Sequence, residues 1–302
     1  MTVSNRCFRK TVFLNTFFSS LKFAGVGFLI VLLFGCQTAV SNIPTPIAQS
    51  PSPNPSTSSE QVPQAPISTP TLSPTSTPAP NQWQTIHPGI EKRTFDSFDA
   101  ENVLIQSVKV IRVDTNLNRF ELAYQPNSPQ SIQSWMAQLD ALVVVNGSFF
   151  TPEYLATGLI VVDGVAAGQT YGDFAGMMVI NDGRVQIQDL AIRPYSPNDP
   201  IEFGIQTFPV LVKNGGQIGY TESGEAARRT VLAVDGNGRV LIIITQFGAF
   251  SLAKMSEWLV QSDLDIDIAL NLDGGNSSSL AVVGEDSIGF LPIPNVIAVY
   301  PR

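Results

Sequence analysis

The sequence predicts an α+β fold, namely a strand-rich single domain over residues 83–302 with a mixed or two-layer β-sheet and a few helices. After Trp83 the chain consists of short apolar, β-branched runs separated by turn dipeptides, which is the pattern of many strands. Only two segments have helical spacing. No repeat of fixed period is present, so solenoids and propellers are not indicated.

Ten runs have the alternating or continuous apolar pattern of a β-strand. Aspartate–glycine and asparagine–glycine pairs supply the positive φ angles of tight hairpin turns. The predicted strands are Val103–Val113, Arg119–Tyr124, Ala141–Val145, Gly158–Val162, Met177–Ile180, Arg184–Ile187, Val231–Val234, Val240–Thr245, Ile268–Leu272 and Val296–Tyr300. The predicted turns are Asp163-Gly164, Asp182-Gly183, Asn214-Gly215 and Asp235-Gly236-Asn237-Gly238. The predicted helices are Ser131–Leu139 and Ser251–Gln261.

The first 35 residues have the layout of a lipoprotein signal peptide. Four basic residues accompany a short apolar run, Phe23–Phe34, which ends at Leu33-Phe34-Gly35-Cys36. The run is shorter than the roughly 20 residues that a membrane-spanning helix needs. Leu-x-Gly-Cys resembles the bacterial lipobox, so we expect Cys36 to be lipidated and the protein to be tethered to the bacterial cell envelope, facing the periplasm or the exterior. An uncleaved N-terminal anchor is the alternative.

Residues 36–82 are expected to form a linker that begins at the lipidated cysteine. The segment 41–82 contains 11 of the 22 prolines and a single charged residue, Glu60. Such a composition favours extended polyproline II conformations and cannot build a core. A plain spacer is favoured over a glycosylated stalk or a peptide ligand.

Charge and residue counts exclude several classes of function. From Cys36 onward the chain carries 13 basic and 25 acidic residues, so a nucleic-acid partner is not expected. His87 is the only histidine, which excludes histidine-rich zinc sites. Cys7 and Cys36 both lie in the N-terminal segment, so the domain has no disulfides or thiolate nucleophiles. No cofactor is implied, although calcium or magnesium stays open, and the oligomeric state is not indicated.

Two predicted strands end in unusual polar sequences. One run ends in Asn146-Gly147-Ser148, and another, apolar except for Asn271, ends in Asp273-Gly274-Gly275-Asn276-Ser277-Ser278-Ser279. A carboxylate beside flexible backbone and hydroxyl groups suits a phosphate or polyhydroxyl ligand. An ordinary turn explains one such loop, but the six small residues after Asp273 exceed what a turn requires.

Adjacent arginines, Arg228 and Arg229, lead into another apolar strand. Strand alternation points them to opposite faces, so one can enter a site while the other is solvated. The planar guanidinium fork suits a phosphate group.

Three other features have simpler explanations. Ser251-x-x-Lys254 has the spacing of penicillin-recognising enzymes but lacks their companion motifs, so Ser251 is read as a helix N-cap. The alternating Asp263, Asp265 and Asp267 lack the glycine and glutamate of a calcium loop. His87, beside a turn, is read as structural.

An ordered set of short motifs over Pro88–Pro301 resembles the phosphodiester glycosidase family. The motifs are Asn146-Gly147-Ser148-Phe149-Phe150, Phe208-Pro209-Val210-Leu211-Val212 with Asn214-Gly215, Arg229-Thr230, Asn271-Leu272-Asp273-Gly274-Gly275-Asn276-Ser277-Ser278, and Pro294-Asn295-Val296-Ile297. The family usually has glycine at the positions of Ser148 and Asn276.

The resemblance implies hydrolysis of a sugar joined through its anomeric carbon to a phosphodiester, with a carbohydrate or glycosyl-phosphate substrate. It implies that Asp273 is the nucleophile or general base. Arg229, with Thr230 and the N–H groups of Gly274 and Gly275, would hold the phosphate. Sugar or phosphate oxygens would be held by the residues that complete the implied site, namely Asn146, Gly147, Ser277 and Ser278. Asp173 and Glu153 are candidates for a second carboxylate. The competing hypothesis is a non-catalytic polysaccharide- or cell-wall-binding lipoprotein.

Overall fold

The computed structural model describes residues 81–302, so the expected signal peptide, Cys36 and nearly all of the linker lie outside the described residues. The strands in chain order are β1 (Gln84–His87), β2 (Ile90–Phe98), β3 (Leu104–Val113), β4 (Asn118–Tyr124), β5 (Val143–Asn146), β6 (Ile160–Val162), β7 (Val165–Ala167), β8 (Gly176–Asn181), β9 (Arg184–Asp189), β10 (Phe203–Thr207), β11 (Val210–Lys213), β12 (Gln217–Ile218), β13 (Thr230–Asp235), β14 (Val240–Thr245), β15 (Ile266–Asn271), β16 (Leu280–Val282) and β17 (Asn295–Pro301). The helices are α1 (Ile132–Leu139) and α2 (Leu252–Gln261), and a 3-10 turn spans Gly275–Ser277.

The strands form three sheets. The largest has the order β1-β2-β3-β14-β13-β15-β11-β12, the second β7-β6-β10-β8-β9, and the third β16-β5-β17-β4. Among the described residues every ladder between these strands is antiparallel, which differs from the expected mixed sheet. The physical reason is that many neighbouring strands are joined by short hairpin turns, which only antiparallel pairs permit.

Two of the four predicted turns have positive φ at both central residues, whereas in the other two only Gly215 and Gly238 have positive φ among the predicted turn residues. Asp163 (φ 50°) and Gly164 (φ 74°) join β6 to β7, and Asp182 (φ 50°) and Gly183 (φ 66°) join β8 to β9. Positive φ at both central residues matches the right-handed twist of the flanking strands. The strand-rich character and the positions of the ten predicted strands are therefore confirmed.

Both helices begin at a serine N-cap. The Ser131 hydroxyl accepts the N–H of Ser134, and the Ser251 hydroxyl accepts the N–H of Lys254 at 3.2 Å. The buried Trp135 anchors α1, where its indole N–H donates to the carbonyl of Ile293 at 2.9 Å. Ser251 therefore caps a helix, which accounts for the Ser-x-x-Lys spacing.

One buried apolar cluster connects all three sheets. It contains, for example, Ile242 and Leu270 from the first sheet, Ile205 from the second, and Val145 and Ile297 from the third. Since these side chains share one core, the polar ends of their strands are held at fixed relative positions. Within residues 81–302, neither helix has the length and apolar character that crossing a bilayer requires.

Candidate active site

The two polar strand ends singled out in the sequence meet in the fold. The N–H of Asp273, just after β15, donates to the carbonyl of Gly147, just after β5, at 3.0 Å. The side-chain amide of Asn146 donates back to the carbonyl of Asp273 at 2.8 Å. These two bonds join the first sheet to the third and place Asp273 at their junction.

The buried side chain of Asn146 holds this junction together. Its Oδ1 atom accepts the Thr230 hydroxyl and the N–H of Ser279, each at 2.9 Å. Asn146 and Thr230 are 1% and 0% exposed. Their side-chain polar groups are thus engaged within the protein, which differs from the expectation that they face a ligand.

Gly147 is required by close packing. A Cβ atom at this position would lie 2.1 Å from Oδ1 of Asn295, so no other residue fits without movement. The same Oδ1 accepts the N–H of Ser148 at 2.7 Å. Asn295 therefore clamps the backbone that follows β5, which gives a structural reason for the Pro294-Asn295 motif.

The carboxylate of Asp273 is mostly buried and carries the largest resolved pKa change in the site. Burial raises its pKa from 3.8 to about 6, because desolvation disfavours the charged form. The Ser277 side chain and the N–H of Gly274 oppose this change, the latter donating to Oδ1 at 2.8 Å. Within residues 81–302 no lysine or arginine forms a salt bridge with Asp273. A carboxylate in this state is a suitable proton acceptor near neutral pH.

The backbone after Asp273 folds back on itself. The N–H of Gly275 donates to the carbonyl of Arg228 at 2.9 Å, and that of Ser277 donates to the carbonyl of Gly274 at 3.1 Å. The N–H of Ser278 donates to the carbonyl of Gly275 at 3.3 Å. The N–H groups of Gly274 and Gly275, which were expected to hold the phosphate, therefore both donate within the chain.

Arg229 lies beside this turn. Its Nε atom donates to the carbonyl of Phe250 at 3.0 Å and its Nη2 atom to that of Glu225 at 2.6 Å. Its Nη1 atom lies 3.8 Å from the point where a Cβ atom at Gly274 would stand. Two backbone bonds thus fix the guanidinium, and Nη1 points toward the residue that follows Asp273.

The neighbouring Arg228 points the other way, as strand alternation predicts. Its Nη2 atom donates to the carbonyl of Ser278 at 2.7 Å, and its guanidinium lies under the ring of Phe290. Both arginines have lowered pKa values because of burial. The expectation that one arginine of the pair is solvated is therefore wrong for Arg228, which is 8% exposed.

Four aromatic side chains form a cluster near the end of β10. Phe208 packs against Phe149, Tyr171 and Phe174, with ring centroids 4.9–5.3 Å apart. Burial raises the pKa of Tyr171, and the nearby charge of Asp273 raises it further, although the Thr157 hydroxyl lowers it. The charge of Asp273 thus acts on Tyr171, whose hydroxyl is hydrogen-bonded to that of Thr157.

A cleft of about 370 Å³ opens on the outer side of these rings. Phe174, Phe208 and Tyr220 supply its aromatic wall, and Asp173 and Lys213 supply charged groups. Neither Asp273 nor Arg229 lines this cleft, but Tyr220, which does, is near enough to Arg229 to raise the pKa of the guanidinium, which burial lowers. Of the two candidates for a second carboxylate, Asp173 lines this cleft whereas Glu153 is exposed and makes no contact with the site among its recorded hydrogen bonds.

The other polar motifs lie elsewhere and have structural partners. Asp263 pairs with Arg93 at 2.9 Å, and Asp267 accepts the N–H of Gly215 at 2.7 Å. Among residues 81–302 no group of three or more histidine, cysteine, aspartate or glutamate side chains is arranged to hold a metal ion. His87 lies in β1 at the edge of the first sheet.

Sequence reasoning missed three residues that shape the site: Gln206, Phe174 and Tyr220. The buried Gln206 accepts the N–H of Tyr171 at 2.9 Å through its Oε1 atom and so positions that ring. Gln206 lies in β10, which was not predicted because its sequence, FGIQT, is short and contains glycine. The signal available was the polar pair Gln206-Thr207 directly before Phe208-Pro209.

Comparisons with known proteins agree with this architecture. The family model described as NAGPA, phosphodiester glycosidase, matches residues 140–300, just over half of the chain. The catalytic domain of zebrafish N-acetylglucosamine-1-phosphodiester alpha-N-acetylglucosaminidase, solved in a form auto-inhibited by its pro-peptide, is a structural neighbour with 17% identity and a TM-score of 0.56, covering 74% of this chain and 87% of that chain.

A hypothetical protein from Synechocystis has 15% identity and a TM-score of 0.51, covering 75% of this chain and 64% of that chain. At these identities both neighbours show the fold alone. No curated protein matches the chain in sequence. The extent of the family match, together with the ordered motifs at the site, shows that this chain belongs to the phosphodiester glycosidase family.

Proposed function

We propose that the protein is a hydrolase that removes a sugar from a sugar-1-phosphodiester. The observation that carries the proposal is the state of Asp273, a largely desolvated carboxylate with a pKa of about 6 that ends a core strand. Perturbed carboxylates of this kind cluster at catalytic sites. Arg229, fixed beside the next residue, supplies the positive charge that a phosphodiester requires.

The reaction breaks the bond between the anomeric carbon and the phosphate oxygen. The electron pair of that bond leaves with the phosphate monoester, and an oxygen from water becomes bonded to the anomeric carbon. Asp273 acts either as the base that takes the water proton or as the nucleophile that first bonds to that carbon. A phosphate monoester has a second pKa near 6, so it departs without protonation and one carboxylate suffices.

The remaining site residues divide into two roles. Asn146, Gly147 and Thr230 position the strand ends, because their polar or close-packed groups contact the protein itself. Ser277 lies next to the carboxylate and is placed to contact the sugar or the phosphate. The glycines at 274 and 275 form the turn that follows Asp273, and Arg229 lies beside this turn.

We assign the sugar to the aromatic cleft. Flat rings such as those of Phe174 and Phe208 present apolar faces on which the C–H face of a sugar packs, and Asp173 at the rim offers acceptors for its hydroxyl groups. Phe174 is 59% exposed, so this surface is accessible. The same cleft supports the second candidate function, a binding module for polysaccharide.

One assay separates these functions and tests the bond that breaks. The full chain is incubated with a panel of sugar-1-phosphodiesters in oxygen-18 water, with and without a chelator. Hydrolysis with the label on the sugar is expected. Label on the phosphate would refute glycosidic cleavage, and saccharide binding without turnover would favour the binding module.

We also propose that the enzyme acts on exported polysaccharide or glycoconjugate while tethered through Cys36. The support is the lipobox-like sequence and the proline-rich linker. Cells that produce the wild type or Cys36→Ala are fractionated, and the mature N-terminus is determined. We expect the wild type in the membrane fraction and Cys36→Ala outside it. Identical distributions of the two proteins between membrane and soluble fractions would contradict the proposal.

A further inference from the structure

Arg228 has hydrogen-bonding capacity that the protein does not use. Its side chain is 8% exposed, and only Nη2 has a partner, the carbonyl of Ser278. The Nε and Nη1 atoms are both buried without a hydrogen-bond partner in the structure. Within residues 81–302 no carboxylate lies within salt-bridge distance of this guanidinium.

This state is unfavourable for an arginine. Burial lowers the pKa of Arg228, yet a guanidinium stays charged in proteins. Buried charges are normally paired, and buried N–H groups normally donate to an acceptor. An oxyanion satisfies the charge and the free donors together, which a neutral acceptor does not.

A second polar group lies unpartnered at the same place. The hydroxyl of Ser278, the residue whose carbonyl Arg228 holds, is fully buried and has no hydrogen-bond partner. Guanidinium N–H groups and a serine hydroxyl form a typical donor set for a phosphate or a carboxylate. Neither group is engaged by Asp273 or Arg229.

The ring of Phe290, which covers the guanidinium of Arg228, has few contacts that bury it. The ring of Phe290 lies 4.6 Å from the guanidinium carbon, while 71% of the Phe290 side chain is exposed to solvent. Phe290 belongs to the segment between β16 and β17, where Leu291 is also exposed. Moving this ring costs little apolar burial, so the segment offers the route by which an anion reaches Arg228.

We propose that Arg228 and Ser278 form a second oxyanion-binding site, for a phosphate or carboxylate group, covered by Phe290 and separate from Arg229. Ser278 follows Ser277, whose side chain lowers the pKa of Asp273, so the two sites lie on either side of one turn. Where the substrate supplies the anion, it carries an acidic group beyond the scissile phosphodiester. That part of the inference rests on the proposed function, whereas the binding site itself does not.

The binding site is tested with inorganic phosphate. The rise in melting temperature of the full chain is measured against phosphate concentration for the wild type and for variants. The variants are Arg228→Gln, Arg229→Gln, the double variant that carries both substitutions, Phe290→Ala and Leu291→Ala. We expect Arg228→Gln to weaken phosphate binding about tenfold in an Arg229→Gln background, where the catalytic arginine no longer contributes. Phe290→Ala should strengthen binding, because the cover is removed, and Leu291→Ala is the matched control.

Two results would overturn the site. One is a phosphate titration in Phe290→Ala that equals the wild type or is weaker. The other is equal phosphate binding by Arg229→Gln with and without Arg228→Gln. If Arg228→Gln does not fold, the Phe290→Ala titration decides alone, since that side chain is exposed and its loss leaves the core intact.

A second arm identifies the source of the anion. Turnover is compared for matched sugar-1-phosphodiesters with and without a carboxylate beyond the phosphodiester. A rise in KM of Arg228→Gln for the acidic substrate alone supports a substrate group as the ligand, and equal kinetics with weakened phosphate binding supports a free anion. If the wild type hydrolyses neither substrate, the proposed function is refuted. The phosphate titration does not depend on turnover, so it still decides whether the Arg228 site exists.

Discussion

Replacing Asp273 with asparagine tests whether this carboxylate is held in a desolvated state. The substitution keeps the shape and the Oδ1 atom that accepts the Gly274 N–H at 2.8 Å, but removes the ionisable group. The pKa of Asp273 rises from 3.8 to about 6 on folding because burial disfavours the charged form. Since one pKa unit is equivalent to about 1.4 kcal/mol, ionised Asp273 lowers the stability of the folded protein by about 3 kcal/mol.

The direction of the pH dependence follows from proton binding. Between about pH 4 and pH 6 the folded protein holds a proton on Asp273 that the unfolded chain has lost, so stability falls as pH rises. Above this window both states are ionised and the full penalty remains. The Asp273→Asn protein has no such penalty. The unfolding free energy of Asp273→Asn minus that of the wild type should therefore increase by up to about 3 kcal/mol from about pH 4 to about pH 7.5.

Urea unfolding of both proteins at about pH 4 and about pH 7.5 gives their unfolding free energies. The change with pH in the difference between the two proteins is the quantity of interest, because groups that titrate equally in both proteins cancel from it. Asp173→Asn, at an exposed position on the cleft, controls for the loss of one negative charge. In parallel, kcat of the wild type should rise with pH through about 6 and be nearly abolished in Asp273→Asn. An equal stability difference at both pH values, or near-normal kcat in the variant, would refute the reasoning.

Four further predictions address positioning and organisation. Arg229→Lys should lower kcat/KM about 100-fold, because one compact ammonium cannot occupy the separate positions of Nε and Nη2 and also present a donor at the position of Nη1. Near-normal turnover would exclude the guanidinium role. Gly147→Ala should lower the unfolding free energy by about 1–3 kcal/mol, because the added Cβ atom meets the side chain of Asn295. Adding Asn295→Gly should recover part of this lost stability, and additive effects of the two substitutions would contradict the close packing. Ser251→Ala should lower the unfolding free energy by about 1 kcal/mol and leave turnover unchanged, because Ser251 caps α2. A loss of activity would instead indicate that Ser251 is a nucleophile. Deletion of residues 41–82 should leave the melting temperature unchanged, and a drop of many degrees would show that the linker packs on the domain.

Local sequence patterns predicted most of the elements. Runs such as Val240–Thr245 alternate or are apolar throughout, and pairs such as Asp182-Gly183 have few alternatives to a tight turn. The missed strands have weak local signals. In β2, Ile90–Phe98, charged residues occupy both faces, and its strand conformation comes from pairing with the whole of β3. Such pairing is a property of the fold, not of the segment.

The candidate site could be located in the sequence because polar residues there follow directly after apolar strand runs. Asn146 and Asp273 end apolar strands, and an amide or carboxylate at such a place stands out from the residues before it. What each residue contacts was not visible, since Asn146 turns inward to Thr230 and Ser279 instead of facing solvent. Those partners lie 84 and 133 residues away along the chain.

The sequence alone determined the strand-rich class, the family and the positions of the polar strand ends, because turn chemistry, hydrophobic period and short motifs are local properties. Only the tertiary structure decided how three sheets share a core, which arginine lies beside Gly274 and which is buried under Phe290. It also decided the pKa of Asp273, because desolvation depends on every atom around the carboxylate and not on its neighbours in the chain.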